Sequence, residues 1–72
     1  MEIDLEQVKK LLELKKRMTA EEMATTLGFV LTNENRRVTL QKIRSALRKV
    51  VDSNGGKREE IDNEGRQIYE LS

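Results

Sequence analysis

Leu40, Ile43, Leu47, Val50 and Val51 recur at helical three- and four-residue steps and mark one continuous apolar stripe over residues 39 to 52. No other segment restricts the fold so strongly. A chain of 72 residues builds one domain and buries only about 60% of the surface its unfolded form exposes, so this helix must form the largest wall of a single core. With no cysteine present, no disulfide supplements the packing. Thr39 is read as the cap of this helix and the SNGG stretch, residues 53 to 56, as its end.

The other elements are those that can lean on this stripe. Residues 4 to 18 carry Leu5, Val8, Leu11, Leu12 and Met18 at helical spacing, with Asp4 as a cap and Lys15, Lys16 and Arg17 in the last turn, where cations suit the helix dipole. Leu14 lies off that stripe and is expected to be exposed. Residues 19 to 28 open with Thr19 and Glu22 in capping-box spacing and stop at Gly28, with Met23, Ala24 and Leu27 as the buried side. Residues 29 to 38 sustain neither apolar period and read as a connector. After the long helix, residues 57 to 71 read as an antiparallel hairpin with Asn63, Glu64 and Gly65 at its tip and with Ile61 and Ile68 facing the core. Tyr69 is expected in the core with its hydroxyl wet. The expected class is therefore mainly α, three helices followed by a small β-hairpin, in one domain over residues 1 to 72.

Composition narrows the chemistry. Histidine is absent along with cysteine, which removes most metal ligands and most nucleophile and base pairs, so no enzyme, no metal and no cofactor is expected. The stretch DSNGGK, residues 52 to 57, places Gly56 where a calcium loop needs a ligand oxygen and Lys57 where it needs the turn glycine. The amino terminus alternates acidic and apolar residues, unlike a signal peptide, and no apolar run approaches the roughly 20 residues of a membrane span. These features lead to the expectation of a soluble cytoplasmic protein, nucleoid-associated if bacterial, with no membrane partner.

Charge is distributed very unevenly for a chain of net +1. Residues 36 to 51 hold Arg36, Arg37, Lys42, Arg44, Arg48 and Lys49 and no acid, whereas the segments on either side are net negative. A merely solvated helix usually mixes signs, as residues 4 to 18 do with Glu6 and Lys10 one turn apart. Six uncompensated cations point to an anionic partner. Membrane surfaces fit poorly, because the apolar stripe is needed for the core and carries no aromatic residue. Single-stranded RNA fits poorly as well, since Phe29 and Tyr69 are the only aromatic rings available for stacking.

Spacing residues 100° apart places Gln41, Ser45 and Arg48 opposite the apolar stripe. Glutamine pairs with adenine, arginine with guanine and serine with either, so these three are the candidates for reading bases in a major groove. Arg36, Arg37, Lys42, Arg44 and Lys49 flank them as candidate phosphate contacts. Sequence-specific binding of double-stranded DNA, as by a small transcriptional regulator, is the expectation that follows. An acidic protein partner docking on the same basic helix, within a replication or transcription assembly, is the alternative.

In its order of elements the sequence resembles a winged helix-turn-helix domain. MTAEEMATTLGF resembles the second helix, VTLQKIRSALRKVVDSNG the recognition helix with its glycine exit, and KREEIDNEGRQIYELS the wing. The ending, with Asp62, Arg66, Tyr69 and Leu71, is similar to the wing of the MarR-like group of bacterial regulators. The resemblance implies that Arg66, at the wing tip, enters a minor groove, with Lys57 and Arg58 as further wing contacts; a cross-strand ion pair with Asp62 is the other reading of Arg66. Two departures stand out. The connector from Gly28 to Thr39 is longer than an ordinary helix-turn-helix turn, and the wing is acidic through Glu59, Glu60, Asp62 and Glu64. Many such domains act as homodimers, and Leu14 on the first helix is a candidate contact for one.

Overall fold

The computed structural model describes residues 3–71, so Met1, Glu2 and Ser72, the outer ends of the expected domain, lie outside the described residues. About half of the chain is helical: α1 (Leu5–Lys15), α2 (Ala20–Thr26) and α3 (Arg36–Ser53). The rest of the regular structure is a three-stranded antiparallel sheet of β1 (Arg17–Thr19), β2 (Lys57–Ile61) and β3 (Gln67–Glu70), with β3 in the middle. The β part is thus larger than a hairpin alone.

Each boundary has a local cause. Asp4 opens α1 by accepting the Glu6 N–H at 2.9 Å. Lys16 closes it in a left-handed conformation, φ 71°, while its N–H bonds to the Leu12 carbonyl at 2.7 Å. The reversal at Lys16 turns the chain out of the helix, and Arg17, Met18 and Thr19 become an edge strand on β3. Residues 16 to 18 are therefore not the last turn of a helix running to Met18. Met18 is nevertheless buried, because it sits opposite Tyr69 in the sheet.

The expected capping box forms at α2: Thr19 Oγ1 accepts the Glu22 N–H at 3.2 Å, and the Glu22 carboxylate accepts the Thr19 N–H. The entry to α3 differs from expectation. Thr32 Oγ1 accepts the Asn35 N–H at 3.2 Å, Asn35 Oδ1 accepts the Thr32 N–H at 2.8 Å, and the Arg36 N–H reaches the Thr32 carbonyl at 2.8 Å. This reciprocal Thr32 and Asn35 pair orders the turn that leads into α3, which begins at Arg36, three residues before Thr39. Thr39 is not a cap but a buried residue within the helix. The connector shrinks to residues 27–35, and Phe29 and Leu31 within it pack against the core.

The core joins Val8 and Leu12 of α1, Met18, Met23 and Ala24, the α3 stripe, and Tyr69 of β3. Leu40, Ile43, Leu47, Val50 and Val51 are all buried, and Thr39 and Ala46 join them. Burying each such aliphatic side chain contributes about 1.5–3 kcal/mol, which is why α3 becomes the wall against which α1, α2, β2 and β3 all pack. Leu5 and Leu14 remain exposed on α1. After α3, Gly56 passes so close to β3 that a Cβ there would overlap the Glu70 carbonyl oxygen, so only glycine fits.

The hairpin turns at Gly65, φ 79°, with the Gly65 N–H bonded to the Asp62 carbonyl at 3.1 Å. Between Lys57 and Glu60 the pairing slips by one residue, a bulge in β2. Ile61 pairs with Gln67 and Ile68 with Glu60, so the two isoleucines lie on opposite faces and do not form a joint core contact. Ile61, the last residue of β2, is 64% exposed, and the hairpin's main core residue is Tyr69, 1% exposed.

Candidate nucleic-acid interface

α3 is held by its buried stripe, and this fixes what it shows to solvent. Gln41, Ser45 and Arg48 are all exposed on the side away from the core, as are Arg36, Arg37, Lys42, Arg44 and Lys49. The earlier start of the helix adds one residue to this surface: Val38, 53% exposed, lies one turn before Gln41 and two before Ser45. Reading residues 29 to 38 as a connector hid it. The Thr32 and Asn35 spacing was the signal that could have found it.

Arg36 and Arg37 now belong to the first helical turn, and that turn contains no acid. Cations at the positive end of a helix dipole are unfavourable by about 0.3–1 kcal/mol each, so the free protein tolerates a local electrostatic cost there. Among the described residues, Arg36, Arg37, Lys42, Arg48 and Lys49 have no carboxylate within 4.0 Å, and Arg44 only just reaches Glu21 at 4.0 Å.

The cations of the hairpin are arranged differently. Arg58 bonds Asp52 through Nε at 3.0 Å, which neutralises the single acid on the outer face of α3. Arg66 forms ion pairs with Glu21 of α2 and with Glu64, the latter at 3.0 Å. Asp62 is not its partner; that carboxylate instead accepts the Glu64 and Arg66 backbone N–H groups at 2.9 and 2.8 Å and shapes the turn. Lys57 is exposed at the start of β2 without a carboxylate partner among the described residues. On the sheet, Arg17 pairs with both Glu60 and Glu70 and so ties β1 to the other two strands.

Beneath the arginines, the Tyr69 hydroxyl donates to Gln67 Oε1 at 3.1 Å, and Gln67 Nε2 in turn donates to the Arg58 carbonyl. Burial pushes the phenol above its ordinary 10.0, against the opposing pull of the Arg48, Arg44 and Arg58 guanidiniums. The hydroxyl is therefore engaged by protein rather than simply wet. Among the described residues no three His, Cys, Asp or Glu side chains gather to hold a metal ion. None of the described helices is long and apolar enough to cross a membrane.

What remains is a rod with one face packed on the core and the other studded with cations, all but Arg44 without a carboxylate partner among the described residues, around three hydrogen-bonding side chains. Such a surface can neutralise an anionic polymer while presenting donors and acceptors between the neutralised charges. No family model, no curated protein and no solved structure matches this chain.

Proposed function

We propose that the chain is a winged helix-turn-helix domain that binds double-stranded DNA sequence-specifically, as a small transcriptional regulator does, with α3 in the major groove. The order helix, strand, helix, helix, strand, strand, with the last strand between the other two, supports the winged-helix reading. The observation that carries the functional reading is the outer face of α3, where Gln41, Ser45 and Arg48 stand among cations of which, among the described residues, only Arg44 reaches a carboxylate, Glu21 at 4.0 Å. In this reading Arg36, Arg37, Lys42, Arg44 and Lys49 contact phosphates, and Val38 offers an apolar contact to a thymine methyl group. Lys57 extends the phosphate contacts onto the hairpin. The internal ion pairs of Arg58 and Arg66 make the hairpin a secondary contributor.

Selection of bound duplexes from a random pool, followed by affinity measurements on selected and scrambled sequences between 50 and 200 mM salt, tests it. With five phosphates neutralised by α3 and a sixth by Lys57, log affinity against log salt should fall with a slope of about −5.4. Equal affinity for both duplexes would contradict sequence reading. No duplex binding even at low salt would return the basic face to an acidic protein partner.

A further inference from the structure

Arg36 and Arg44 of α3 and Arg66 of the hairpin turn line one cleft together with Ala20, Gly65 and Gln67, and Glu21 is the single carboxylate among its lining residues. The cleft holds about 380 Å³. Glu21 is tied to two of the three guanidiniums, directly to Arg66 and at 4.0 Å to Arg44, and its side chain is only 15% exposed. Three arginines from separate turns of the fold thus line one cleft, two of them around one carboxylate, and leave it net positive.

We propose that this cleft is a phosphate-binding subsite in which the Glu21 carboxylate occupies the position an incoming phosphate group takes. Guanidinium forks match carboxylate and phosphate oxygens alike, so Glu21 stands in for the ligand while the site is free. A phosphate that enters displaces Glu21 from Arg66, and Glu21 turns to solvent. The ligand class is a phosphate group, carried either by a DNA backbone beside α3 or by a free phosphate ion. The DNA source rests on the function proposed above; the site itself does not.

The lock has a consequence that ordinary surface charge does not. A phosphate must displace Glu21 before it reaches Arg66, which Glu64 also holds, so the carboxylate weakens binding without changing how many phosphates are neutralised. Glu21→Gln should therefore raise duplex affinity severalfold at low salt with little change in the salt slope, since the same phosphates are contacted. Glu13→Gln, which removes the same charge from an exposed position on α1, should not produce the full gain. Arg66→Gln should cost little alone and much more in the Glu21→Gln background, a non-additivity that marks a direct competition.

The decisive experiment measures these four variants against duplex DNA. In parallel, the Arg66 Nε–H resonance is followed during titration with inorganic phosphate at low ionic strength, with circular dichroism confirming that each variant is folded. A saturable phosphate shift of Arg66 that tightens in Glu21→Gln supports the subsite, whether or not duplex binds. If duplex binding fails while the phosphate shift appears, the DNA reading falls and the subsite stands. Absence of a phosphate shift in both proteins, or additive effects of Glu21→Gln and Arg66→Gln, overturns it.

Discussion

Arg48 and Lys49 are sequence neighbours with opposite surroundings, and they are expected to differ in what they do for binding. Arg48 lies in line with Gln41 and Ser45 and above the Tyr69 hydroxyl, while Lys49 lies on the flank. Arg48→Ala should cost about 1–3 kcal/mol with the preferred duplex and relax the preference at one base pair, whereas Lys49→Ala should weaken all duplexes alike. Competition binding with a panel of single-base variants distinguishes the two. Tyr69 makes a separate prediction through pH. Because burial raises its folded pKa, the folded protein keeps the phenolic proton where the unfolded chain has begun to lose it. Its contribution to stability is therefore intact below about pH 10 and is lost as pH rises through the folded value. Thermal unfolding between pH 9 and pH 11 should show that loss in the native chain and a smaller one in Tyr69→Phe.

At the scale of elements, the junction between α1 and β1 is the most strained point. Lys16 carries a positive φ that L-residues adopt at a cost of roughly 1–2 kcal/mol, so Lys16→Gly should raise stability by about 0.5–1 kcal/mol after the larger unfolded-state entropy of glycine is subtracted. Chemical denaturation reads that gain as a higher midpoint at unchanged slope. The same junction shows what the sequence conceals. A lysine gives no hint of a helix-ending turn, and a three-residue strand is too short for any period to emerge; β1 exists because β3 offers it a partner more than 40 residues later. The capping box of α2 was legible because Thr19 and Glu22 decide it between themselves. The start of α3 was not, because a threonine and asparagine pair orders the turn before it and Thr39 offers a plausible cap of its own. The candidate face fared better than the boundaries. Its inner and outer sides follow directly from the apolar period, so Gln41, Ser45 and Arg48 were placed correctly outward, while Val38 and the Glu21 contact depended on tertiary structure.

Across the whole molecule, the basic surface is segregated from the acidic ones by the architecture. Ion pairs engage Arg17, Arg58 and Arg66 of the sheet and hairpin, whereas among the described residues only Arg44 of the α3 cations reaches a carboxylate, at 4.0 Å. A net charge of +1 therefore conceals a molecule with a strongly directional field. That field should orient the domain before contact, so association with duplex should slow steeply with added salt while dissociation changes less. Stopped-flow binding at several ionic strengths separates those rates. The most direct test of the central claim, that the outer face of α3 is the DNA-reading surface, is an amide-shift titration with the selected duplex. Shifts concentrated over Arg36 to Lys49, with the outer side of α1 around Lys10 and Leu14 unmoved, are predicted. Shifts that spare α3 and gather elsewhere would contradict it.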